Sequence, residues 1–285
     1  MGKKAFRNSI RFRYNKGMIK RQWTDVEING RVYLQLCYLN IDQLFPQTKE
    51  AIFDHAFSVM HKLTATQYHL HNYKHIEDEQ QTFWIDAFKK DLNKREESFE
   101  LIFELEAFLH QIKSSLDMLV KILDPIIGLG KVGTHTYGNK GEDIVKGLRG
   151  YKQHMTEDDA LPVNHLIELI QSEKQSWLET IIKLLDRISH VKGLRDYHFE
   201  PARSPEGTII AVPPKFEGII TSNTMDIIYA NNVQYHQDFM VFALALKTPG
   251  FIPIPYQSRT PEKHEYAKYV KWAWGFKNPP KPPNG

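Results

Sequence analysis

Asp186, Arg187, His190 and Arg195 place a carboxylate, an imidazole and two guanidinium groups within ten residues. Asp186 and His190 are one helical turn apart, so the carboxylate can hold the imidazole in its protonated form. A guanidinium beside them can grip a phosphate through two parallel N–H···O bonds. The same residues also suit the C-terminal end of any helix, where cations complement the helix dipole. Residue type alone leaves both readings open.

Other candidates are weaker. Gly128-Leu-Gly130-Lys131-Val-Gly133-Thr134 invites a phosphate-loop reading, but Val132 stands where a hydroxyl residue is needed, and a helix rather than a strand precedes it. His69, His71 and His75 have a spacing that imidazole ligands can use. No glutamate lies between them as a zinc protease requires, and Tyr68–His75 reads as a helix end or loop, so they are expected to form a surface cluster without metal. Cys37 falls in a predicted strand and reads as a small buried hydrophobe. Arg149–His154 and Arg259–His264 fit an R-x4–6-H spacing, but about 1.5 such pairs arise by chance at this composition. Glycine or proline beside each pair argues against a long helix.

The elements that must position these residues are mostly helical. Thr48 is a candidate cap for a helix over about 49–65, with Ile52, Phe53, Ala56, Val59, Met60 and Leu63 on one face. A second helical stretch is predicted from near Glu79 to Leu123, broken between 91 and 97 because 45 helical residues would span about 68 Å. Leu101, Leu105, Phe108, Ile112, Leu116 and Leu119 form its core stripe, and Pro125 ends it. A Gly-rich connection over 126–162 holds a short helix near 142–148. Val163, Ile167, Ile170, Trp177, Ile181, Leu184 and Ile188 then mark the helix that carries the motif, with Gly193 as its stop. Residues 208–221 read as extended, and a last helix covers about 224–247. Asn29-Gly30 between two alternating runs predicts an N-terminal hairpin. The stretch from Thr248 is rich in proline and predicted irregular.

Phe108-Leu-His-Gln-Ile-Lys-Ser-Ser-Leu-Asp117 on one bundle helix, followed by a second reading Trp177, then Asp186-x3-His190, resembles the HEPN superfamily over roughly 97–247. The resemblance implies an all-helical domain and a metal-independent ribonuclease of toxin–antitoxin or phage-defence systems. It also implies that two subunits pair so that both motifs line one cleft. Histidine would then act as general base or acid on a ribose hydroxyl, and arginine would stabilise the phosphorane charge. The copy is degenerate: aligned on Asp186 and His190, Leu185 stands in the arginine slot. Arg187 is two positions on, about 200° around the helix. Either Arg187 or Arg195 substitutes, or this chain does not cleave RNA.

At 285 residues, 41% apolar and 25% charged, the chain falls in the globular range. Its longest apolar run, Phe239–Leu246, is far short of the ~20 residues of a membrane span. Neither a secretory signal nor a myristoylation motif is expected, and a single cysteine suits a reducing compartment, so a cytoplasmic protein without a membrane partner is predicted. The net charge of +3 hides a strong asymmetry. Lys3, Lys4, Arg7, Arg11, Arg13, Lys16, Lys20 and Arg21 give residues 1–24 a charge of +8 with no acid, and residues 262–285 carry +3. Phe6, Phe12, Tyr14 and Trp23 interleave the first run, as stacking on nucleic acid requires. The alternative is a solvated arm that packs on the acidic body.

The predicted architecture is thus mainly α: a basic β extension over 1–45, an antiparallel helical bundle over 48–247 and a basic aromatic tail over 248–285. The expected function is RNA-directed, as a ribonuclease or a degenerate relative, homodimeric, without cofactor or metal, with an antitoxin or defence-system protein as a possible partner. A non-enzymatic helical scaffold is the alternative.

Overall fold

The computed structural model describes residues 45–133, 136–190, 197–216, 221–247, 251–257 and 270–276. The predicted N-terminal hairpin, Cys37, the eight cations of residues 1–24 and Arg195 lie outside them. The chain is mainly helical. Helix α1 (Lys49–Lys90) turns back through residues 91–98 into α2 (Phe99–Lys121), and the two form a long antiparallel hairpin. Leu101, Leu105, Phe108, Ile112, Leu116 and Leu119 are all fully buried, as their spacing predicts.

Helix α1 differs from expectation: Tyr68–His75 lies in its middle, not at an end. Its buried stripe continues through Thr66, Gln67, Leu70, Tyr73 and Glu77, so polar residues occupy core positions and mask the apolar period. The Thr66 hydroxyl is satisfied by the Lys62 carbonyl at 2.8 Å. Thr48 sits at the N-cap but makes no side-chain capping bond.

Short helices α3 (Leu123–Ile127) and α4 (Leu129–Val132) and a 3-10 turn (Gly138–Gly141) lead into α5 (Glu142–Lys152). Helix α6 (Glu157–Glu173) starts earlier than its apolar stripe implies. Thr156 accepts the Asp159 N–H at 3.3 Å, and three acids fill the first turn, so the capping chemistry carries the helix past Pro162. A wide π turn (Lys174–Leu178) joins α6 to α7 (Glu179–His190). Helix α6 packs against the last helix, α8 (Ser222–Ala245), whereas α7 packs against α2, so the wide turn marks a change of neighbour.

Two antiparallel ribbons complete the described chain. Strands β1 (Glu200–Arg203) and β2 (Ile209–Val212) pair Glu200 with Val212 and Arg203 with Ile209. Strands β3 (Phe251–Gln257) and β4 (Val270–Phe276) pair Phe251 with Phe276, in a stretch expected to be irregular. Pro253 and Pro255 have the same parity, so the N–H groups they lack belong to one edge of β3, and the pairing edge is spared. One hydrophobic core runs from Phe45 to Leu246. Among the described residues no helix is long and apolar enough to cross a membrane.

Two glycines of α5 give a paired test. A Cβ on Gly147 would sit 2.0 Å from the Val132 carbonyl oxygen, whereas one on Gly150 would meet nothing within 4 Å. Urea unfolding should show Gly147→Ala losing at least ~2 kcal/mol, while Gly150→Ala gains up to ~1 kcal/mol.

Candidate functional site

The motif helix α7 is amphipathic. Ile181, Ile182, Leu184, Leu185 and Ile188 are buried, while Lys183, Asp186 and Arg187 are exposed. Each residue advances about 100°, so burying Leu184 and Leu185 side by side turns Asp186 and Arg187 outward. His190 is the last residue of the helix, one turn beyond Asp186. Leu185 keeps only 5% of its surface exposed, so position 185 belongs to the core. Asp186 and Arg187 are thus brought to one exposed turn.

Described residues before and after this helix end make specific contacts. Upstream, the Trp177 indole N–H donates to the buried Glu173 carboxylate at 2.6 Å and braces the wide turn. Downstream, the buried Tyr197 hydroxyl bonds the Tyr73 hydroxyl at 2.6 Å, and its carbonyl accepts the Ser98 N–H at 3.0 Å. Phe199, fully buried, stacks on Trp84 with centroids 6.3 Å apart. Tyr197 and Phe199 are therefore anchored to α1 and to the residue that opens α2.

The other sequence candidates disperse. His69 points its Nδ1 at Glu104, 2.7 Å away, and Asn72 donates to the same carboxylate. His75 pairs instead with Glu79 at 3.5 Å on an exposed face. Among the described residues no group of three or more His, Cys, Asp or Glu side chains converges as a metal site needs. The Gly-rich stretch follows the short helix Leu123–Ile127 and is itself helical over Leu129–Val132, with Gly128 and Gly133 at positive φ. Arg149 lies on α5 and His154 follows it in a turn, both exposed.

Two buried polar clusters have no counterpart in the sequence reading. Glu77 is buried against the start of α8, where Ser222 bonds it, and burial raises its pKa. One of its oxygens has no hydrogen bond among the described residues. Lys74 and Asp226 make an ion pair nearby. Deeper in the core, His236 donates from Nδ1 to the Asn232 carbonyl at 2.7 Å, and Asn232 donates to Ser115 on α2 at 3.3 Å. Tyr137 and Tyr235 join hydroxyls at 2.8 Å. Within the polar run Asn231–Asp238, Asn232 and Gln234–Asp238 are buried. Only its partner on a helix 117 residues away reveals the arrangement.

No family model, curated protein or solved structure matches the chain.

Two measurements follow from these placements. Leu185→Ala should cost ~2–4 kcal/mol in chemical unfolding, whereas Asp186→Ala and Arg187→Ala should each stay within ~0.5 kcal/mol. The second concerns acid. Burial lowers the His236 imidazole to about 4, below its ordinary value near 6.5. The unfolded chain therefore binds the proton first. The stability from keeping His236 neutral is complete above pH ~6.5 and falls as pH drops toward ~4, by up to ~3 kcal/mol. Unfolding free energies of the wild type and His236→Leu should converge or cross between these pH values. A constant difference between them would contradict the placement.

Proposed function

We propose that this chain is an HEPN-like, RNA-directed protein that binds RNA but has lost the arginine needed to cut it. The observation that carries this reading is the burial of Leu185 beside the exposed Asp186 and Arg187. A leucine packed in the core offers no donor to a phosphorane, and a guanidinium about 200° away cannot take its place without breaking the helix. What remains is an exposed guanidinium at the end of a helix, next to His190 in sequence. That arrangement can contact a phosphate and orient a strand. The eight cations and interleaved aromatics of residues 1–24 would supply the rest of the affinity by phosphate neutralisation and stacking. The protein would act in the cytoplasm as a homodimer, in a toxin–antitoxin or defence setting, with RNA as ligand and neither metal nor cofactor.

A scaffold reading has one observation in its favour: Phe99 and Phe103 are well exposed on α2, as a protein-binding face would be.

Fluorescence anisotropy with a labelled single-stranded RNA separates the two. The RNA-directed reading expects affinity to fall at least ~10-fold between about 50 and 200 mM salt. It also expects a loss of at least ~10-fold when Arg7, Arg11 and Arg13 are changed to Gln. The same RNA should stay intact in EDTA. Absent or salt-independent binding would favour the scaffold, and cutting that disappears in His190→Ala would show a complete catalytic motif.

A further inference from the structure

The turn between α1 and α2 carries a set of exposed rings. Phe99 and Phe103, one helical turn apart on α2, are 59% and 63% exposed with centroids 6.5 Å apart. Phe83 and Leu92 are also exposed at this end of the hairpin. Rings here already take cations: the Lys94 ammonium lies 5.4 Å from the Phe83 centroid and 5.6 Å from that of Trp84. Around them, Asp86, Asp91, Glu96, Glu97 and Glu100 are exposed, and residues 78–106 hold nine acids against four lysines and arginines.

This charge decides between occupants. A second copy meeting the face through a two-fold axis would bring the same carboxylates against one another. A cationic, aromatic segment would instead neutralise the acids and stack on the rings. Residues 1–24 have that composition, with eight cations, no acid, and Phe6, Phe12, Tyr14 and Trp23 among them. The 262–285 tail is a poorer match, since two glutamates offset its five lysines.

The span is sufficient. Gln80 bonds both Ser98 and Glu100, so Phe99 lies level with Gln80, about 46 Å along α1 from Lys49. Residues 25–44, which link the arm to the body, reach up to roughly 66–72 Å when extended.

We infer that residues 1–24 of this chain dock on the acidic aromatic face formed by Phe99, Phe103 and their flanking carboxylates. The inference is independent of RNA binding, although an RNA that uses the same cations would have to displace the arm.

Trypsin digestion of the full-length, nuclease-treated protein, followed by mass spectrometry of the peptides from residues 1–24, tests this. In low salt the wild-type arm should be cleaved at least ~10-fold more slowly than in Phe99→Ser/Phe103→Ser or in Glu96→Gln/Glu97→Gln/Glu100→Gln. High salt should bring the wild type to the rate of the charge variant. All of these side chains are exposed, and thermal unfolding should confirm that both variants keep the fold. Equal cleavage rates in wild type and variants would overturn the inference. So would a wild-type dimer that falls apart in the Phe variant with no change in arm cleavage, which would assign the face to a second copy.

Discussion

The burial of one stripe of α7 governs how the candidate site can work. Ile181, Leu184, Leu185 and Ile188 pack into the bundle, and this sets the rotation of the helix to within a fraction of a turn. Once Leu184 and Leu185 are both inside, Asp186 and Arg187 have nowhere to go but outward. Rotating the helix to offer position 185 to a ligand would pull apolar side chains out of the core. Each fully exposed Leu or Ile costs about 1.5–3 kcal/mol, so such a rotation is not within reach of a bound phosphate. The packing of Leu185 and the outward direction of Asp186 and Arg187 are therefore one and the same constraint.

How much of this was legible depends on which residues fill the core. The α2 stripe and the lower part of α1 are apolar at spacings of three and four, and both read directly. The middle of α1 does not, because Thr66, Gln67 and Glu77 fill positions of the buried stripe with polar side chains. The start of α6 was masked by Pro162, although Thr156 and the acids that follow carry a clear capping signal. Strand β2 falls within the stretch 208–221 that reads as extended, whereas the four residues of β1 are too few for an alternating pattern to stand out. In β3 the two prolines argued for irregular chain and are tolerated because they share one edge.

The site was legible in part. The spacing of Asp186 and His190 and the offset of Arg187 follow from helix geometry alone, and the burial of Leu185 continues the apolar stripe. The supports were not legible, because they depend on contacts remote in sequence. Tyr73 meets Tyr197 across 124 residues, and Asn232 meets Ser115 across 117. Buried polar groups of this kind are costly unless paired, so where they are paired they fix which elements must meet. Here they tie α1 to Tyr197, and α8 to α2.

The rotation of the motif helix can be read from thiol accessibility. In a Cys37→Ser background, cysteine placed at position 187 should react with a small thiol reagent at close to the rate of a free thiol. Cysteine at position 185 should react at least ~100-fold more slowly, through transient opening alone. Comparable rates at the two positions, or faster labelling at 185, would contradict an inward leucine and return that slot to the solvent.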